Sequence, residues 1–87
     1  MLIISSINVQ SCSVPYIRHS NFLKQFGTNL KKIRKEKGLS QEYIAFNSEL
    51  SVNQIGRIER GEINTSLSTV YEIAQTINVD IKELFDF

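Results

Sequence analysis

GLSQEYIAFNSELSVNQIGRIERG, residues 38–61, decides how this chain folds. Ser40 stands where a hydroxyl can accept a hydrogen bond from an unpaired backbone N–H and so open a helix. Ile44 and Ala45 give that first short helix, residues 41–48, a small apolar contact surface. Glu49 falls at a turn, Leu50 supplies an apolar plug, and Ser51 offers a second cap. Ile55 and Ile58, three apart, place one apolar stripe on a second helix over residues 52–60, which Gly61 ends. The opposite side of that helix carries Val52, Asn53, Gly56, Arg57 and Arg60.

Two short helices joined by a few residues, the second one polar outward, form a helix-turn-helix, an arrangement suited to the major groove of DNA. Upstream, the spacing predicts a helix over residues 21–37, capped by Ser20 and stopped by Gly38. Leu23, Phe26, Leu30 and Ile33 recur in three- and four-residue steps and give it one buried stripe. Gly27 interrupts this helix at a cost of about 1 kcal/mol relative to Ala, which close packing of a neighbouring helix would explain. Downstream, Ile63 and Asn64 form a connector, and Thr65 or Ser66 starts a fourth helix with Leu67, Val70, Ile73, Ala74 and Ile77 on its apolar face. Asn78 is placed for a left-handed cap, and Asp80 caps a last short helix carrying Ile81, Leu84 and Phe85. The expected fold is all-α, with five helices around one core over residues 21–87, numbered in chain order so that helix 1 spans residues 21–37, helix 2 residues 41–48 and helix 3 residues 52–60. Residues 1–20, with Leu2, Ile4, Ile7 and Val9 loosely alternating before Pro15, read as an N-terminal arm or short strand rather than a solvated tail.

Eighty-seven residues make one domain, and 41% hydrophobic content is ordinary for a globular protein. Cys12 is the one cysteine and His19 the one histidine, so no internal disulfide and no zinc set can be assembled. A reducing cytoplasm fits, and neither metal nor cofactor is expected. MLIISSINV has no positive flank and no long apolar run, which speaks against a signal peptide or membrane span. The net charge of +1 conceals a division. Residues 18–60 hold nine Lys and Arg against four Glu, or +5, while residues 61–87 hold one Lys against five acids, or −4. Phosphate binding needs local positive potential, which a global sum can hide.

The strings LKKIRKEKGLSQEYIA, SVNQIGRIERGEINTSLSTVYEIA and INVDIKELF resemble the phage-repressor type of helix-turn-helix, the Cro- and repressor-like (XRE-like) bacterial regulators. The resemblance covers roughly residues 22–86. It implies a lambda-repressor-like DNA-binding domain whose third helix enters the major groove. One departure is Glu49, where the family usually has glycine, so a strained or differently shaped turn is expected there.

Carried over residue by residue, the resemblance implies base reading by Ser51, Val52, Asn53 and Arg57. Asn53 suits adenine, which offers N7 and N6 together, and Arg57 suits the O6 and N7 acceptors of guanine. Val52 can pack on a thymine methyl. Phosphate contacts are implied for Gln41 at the first turn of helix 2 and for Arg60 and Asn64 at the end of helix 3. Gln54 can reach a base or a phosphate, while Lys31, Lys32 and Lys35 add long-range attraction. Such contacts position a protein on the duplex without reading sequence. Arg34 and Glu59 correspond to a shielded ion pair between helices 1 and 3. The alternative is that the polar residues of helix 3 are simply solvated. The direction of Tyr43, Phe46 and Tyr71 stays open.

The function implied is a sequence-specific, double-stranded-DNA-binding transcription regulator, acting as a homodimer on a near-palindromic operator. Ile81, Leu84, Phe85 and Phe87 are the expected dimer contacts, with the N-terminal arm as second candidate. Compact members include phage repressors, antitoxin-type regulators and the controllers of restriction–modification systems, the last similar in length and in the run SQEYIAF. The same fold can instead serve as a protein-interaction module that holds a partner such as a toxin. An enzyme is the least supported class, since no nucleophile–base set, paired carboxylates, phosphate loop or metal-ligand cluster is evident.

Overall fold

Four α-helices and a closing 3-10 helix follow one another in the computed structural model, which describes residues 17–87: α1 Ser20–Glu36, α2 Gln41–Phe46, α3 Val52–Glu59, α4 Leu67–Ile77 and the 3-10 helix Ile81–Phe85. The all-α class expected from the sequence holds, but the fifth helix is a 3-10 turn. A short segment of IKELF can close i→i+3 bonds while Leu84 faces the core and Ile81 packs against it. Residues 1–16, most of the expected arm, lie outside the described residues.

Side-chain caps set most of the helix starts. The Ser40 hydroxyl accepts from the Tyr43 N–H at 2.9 Å, Ser51 from Gln54 at 3.1 Å and Ser66 from Thr69 at 3.2 Å. Each such cap contributes about 1 kcal/mol relative to Ala. Ser66, not Thr65, therefore opens α4. Ser20 is not a cap but the first helical residue; His19 takes the capping position without a side-chain hydrogen bond. At the last element Asp80 accepts from the Lys82 N–H at 2.9 Å, while Glu83 reaches back to the Asp80 N–H at 3.3 Å.

The helix ends are equally local. After α1 the chain reverses at Gly38, φ +70°, with Gly38 N–H on the Lys35 carbonyl and Leu39 N–H on the Arg34 carbonyl, both at 3.0 Å. This double closure is the Schellman motif, and Gly61 repeats it after α3 with φ +71°. Asn78 ends α4 in the left-handed conformation, φ 59° and ψ 52°. Helix α2 stops at Phe46, two residues earlier than expected, because Ser48 turns its hydroxyl back onto the Ile44 carbonyl at 2.6 Å. That hydroxyl also accepts from the Leu50 N–H at 3.2 Å. Glu49 is accordingly not left-handed, as Asn78 alone among the described non-glycine residues has positive φ. The turn is differently shaped and free of that backbone strain.

Phe26, Leu30, Ile44, Ile55, Ile58, Val70, Ile73, Ala74, Ile77 and Leu84 form one core. Leu67, expected on the apolar face of α4, is exposed instead as the first residue of that helix, and the buried stripe begins at Val70. Gly27 brings α1 against the end of α3. A Cβ there would stand 2.5 Å from the Ile58 carbonyl oxygen and closer still to that of Glu59. The buried Asn29 amide donates to the Glu83 and Leu84 carbonyls, each at 2.9 Å, and clips the 3-10 helix to α1.

Candidate nucleic-acid interface

Helix α3 turns its two apolar residues fully inward: Ile55 is 0% and Ile58 2% exposed. Helical spacing then forces Val52, Asn53 and Arg57 to the outside, where all three are exposed, with Ser51 exposed just before them and Gln54 half-buried at the side. The fold thus presents Ser51, Val52, Asn53 and Arg57 together along one convex helix.

Behind this face lies a buried polar network. Arg34 Nε donates to Glu59 Oε2 at 2.6 Å and Nη2 donates to Oε1 at 3.0 Å. The third corner of the guanidinium, Nη1, donates to the Leu39 carbonyl at 2.8 Å. Both side chains are nearly inaccessible, so the charges satisfy each other rather than water. The hydrogen bonds that Arg34 donates to the Glu59 carboxylate raise its pKa above the ordinary value, against the opposing effect of burial. Gln41 joins the network, its amide donating to Glu59 Oε1 at 3.0 Å. The first turn of α2 is thereby fixed beside α3.

At the far end of α3 the geometry holds something that sequence reading missed. Glu62 takes both nearby arginines: Arg60 Nε lies 2.7 Å from Oε2, and Arg57 Nε lies 3.6 Å from Oε1. A signal was available, because the reversal at Gly61 folds the residue two after Arg60 back over the last turn of α3. Asn64 donates its amide to the Ile17 carbonyl at 2.9 Å, holding the chain that leads into α1. Lys31 and Lys35 are exposed on α1 and enter none of the ion pairs among the described residues.

The expected dimer contacts divide. Leu84 is 0% exposed and belongs to the core of its own protomer, because i→i+3 geometry and the Asn29 clip roll it inward. Ile81 is half-buried against the core. Phe85 and Phe87 remain exposed beside Phe22 of α1, their rings 6.4 and 5.7 Å from that of Phe22. Among the described residues no group of His, Cys, Asp and Glu is arranged to hold a metal, and no helix is long and apolar enough to cross a membrane.

Comparison with known proteins agrees with this geometry. The HTH_3 family model, described as "Helix-turn-helix", matches residues 30–84. The control protein C.BamHI of Bacillus amyloliquefaciens is 38% identical over 69 residues, which are 78% of this chain and 85% of that protein. The crystal structure of the restriction-modification controller protein C.AhdI from Aeromonas hydrophila matches with a TM-score of 0.70 and 41% identity, covering 72% of this chain and 96% of that one. The controller protein C.Esp1396I, solved as a tetramer in complex with its natural 35 base-pair operator, matches with a TM-score of 0.67 and 32% identity, covering 78% of this chain and all of that one. With its caps, its buried α3 isoleucines and its exposed polar α3 face, this chain belongs to the helix-turn-helix family.

Proposed function

We propose that this protein is a sequence-specific, double-stranded-DNA-binding transcription regulator that acts as a homodimer on a near-palindromic operator. The observation that carries the reading is the division of α3, with Ile55 and Ile58 sealed into the core and Asn53 and Arg57 in solvent. An exposed polar helix held by a rigid apolar back can enter a groove about 12 Å wide without reorganising the domain. Its relatives support this, since they include transcriptional regulators and controllers, one of them solved on its operator. Asn53 reads adenine and Arg57 reads guanine, each good bidentate contact supplying about 1–3 kcal/mol of discrimination. Ser51 and Val52 complete the base-facing turn. Gln41, Gln54, Arg60, Asn64, Lys31 and Lys35 contact phosphates and set the register.

The dimer forms through Phe85 and Phe87 with Phe22, the exposed aromatic patch beside the 3-10 helix. A two-fold axis through that patch pairs two copies of α3, and a helix-turn-helix dimer reads half-sites about one helical turn of DNA apart. The protein works in the cytoplasm.

Enrichment of random duplexes with the purified protein tests the reading, repeated with Asn53→Ala and Arg57→Ala. Each variant is expected to lose preference at its own base pairs and to retain salt-sensitive binding. Unchanged preference in both would move the reading face elsewhere. Indifference to duplex DNA at low salt would leave the protein-interaction module as the better reading.

A further inference from the structure

The Glu62 carboxylate stands between the two arginines of α3, and its position is fixed from both sides of its own backbone. Its N–H donates to the Arg57 carbonyl at 2.9 Å, and its carbonyl accepts from Arg18 Nη2 at 2.7 Å. The turn that places it requires a glycine, because a Cβ at Gly61 would lie 2.7 Å from the Lys24 backbone and at an unfavourable φ. The contacts differ between the two partners. Arg60 is engaged through Nε at 2.7 Å and also through Nη2 at 3.5 Å. Arg57 is approached less closely, its Nε 3.6 Å from Oε1, and no hydrogen bond engages its two terminal nitrogens among the described residues. All three side chains are about half exposed, at 46, 47 and 57%, so solvent screens the pairs and the carboxylate can be displaced.

We infer that Glu62 is a specificity-determining residue, an internal carboxylate that occupies the cations of α3 in place of a phosphate while leaving the fork of Arg57 open to a base. The inference rests on the duplex-binding reading above. Non-specific binding is made almost entirely of phosphate contacts, so a built-in anion beside Arg60 weakens it directly. The operator complex draws in addition on hydrogen bonds from the terminal Arg57 nitrogens to guanine, which Glu62 leaves untouched. Arg60 meets a phosphate in both complexes, so its share of the cost is common to them. The difference comes from Arg57, which must leave the carboxylate to reach a phosphate on random sequence but can keep its Nε beside Glu62 while its terminal nitrogens reach a base. The carboxylate therefore lowers binding to random sequence more than binding to the operator. It works as a filter rather than as an affinity contact.

The test compares wild-type protein with Glu62→Gln on two duplexes: the sequence enriched by the wild type and a scrambled one of equal length. Glu72→Gln, a matched loss of one negative charge on α4, serves as control. Removing the carboxylate frees about one phosphate contact, which makes the log–log salt slope on scrambled DNA about 0.9 more negative. At 50 mM salt that corresponds to roughly tenfold tighter binding of the scrambled duplex, with a smaller gain on the enriched one and a lower ratio between them. Equal gains on both duplexes, or the same gain from Glu72→Gln, would overturn the inference. A loss of affinity for the enriched duplex in Glu62→Gln would overturn it as well and make Glu62 a contact instead. Failure of the parent reading looks different: the wild type itself would then enrich no sequence.

Discussion

Arg34 and Glu59 meet edge to edge, Nε to Oε2 at 2.6 Å and Nη2 to Oε1 at 3.0 Å, with less than a tenth of either side chain exposed to water. The pair joins α1 to α3 and so determines where the exposed face of α3 stands relative to the lysines of α1. Removing one partner strands a buried charge, and Arg34→Met or Glu59→Met is expected to lower unfolding free energy by about 3–5 kcal/mol. In the double variant, with Met at both positions, most of that loss should return, because no charge remains uncompensated. Urea unfolding of the single and double variants checks this; additive losses would show that the two groups act independently.

Gly27 faces the carbonyls that end α3 so closely that no side chain fits. Alanine would gain about 1 kcal/mol in helix propensity, but its methyl must push the two helices apart. A net loss of about 1–3 kcal/mol is expected for Gly27→Ala, the usual range for overpacking. Because the displaced element is α3, DNA affinity should fall further than the fraction of unfolded protein accounts for. A thermal midpoint equal to or above that of the wild type would contradict the close approach.

Leu84 and Phe87 lie three residues apart but do different work. Leu84→Ala hollows the core and should cost about 2–5 kcal/mol. Phe87→Ala, on the surface, should leave monomer stability within about 0.5 kcal/mol and weaken self-association instead. Sedimentation across a concentration series, together with unfolding curves, separates the two. If Phe87→Ala sedimented as the wild type does, the dimer would have to use another face.

Much of this molecule was legible because its signals are local. Ser40, Ser51, Gly38, Gly61, Asn78 and Asp80 each act within four residues of themselves, so their types and spacing announce the helix boundaries. Ile55 and Ile58 were equally plain, since one stripe on a short helix admits one orientation. The failures share a cause. Leu84 counts as a dimer contact from the family resemblance and the apolar end of the chain, while the Asn29 hydrogen bonds that seat its segment on α1 span more than fifty residues. Leu67 counts by period although it is the first residue of α4. Glu49 was judged by the glycine it replaces, while Ser48 was already shaping the turn from one position earlier. Glu62 was passed over because its pairing with Arg57 and Arg60 depends on a chain reversal rather than on a helical interval.

The Glu62 carboxyl is held below its ordinary value of 4.5, first by the hydrogen bond from Arg60 and then by the charges of Arg60 and Arg57. A lowered folded-state pKa means that the unfolded chain binds the proton more readily. The stabilisation is therefore complete above the ordinary carboxylate value and is lost as pH falls through the lower, folded-state value. Carboxyl-detected NMR titration should place the Glu62 midpoint below 4.5. In Arg60→Gln it should rise toward that value, and in Arg57→Gln by less, since Arg57 is the more distant partner. A wild-type midpoint at or above 4.5 would mean that the arginines are not held in solution, and the filter assigned to Glu62 would lose its physical basis.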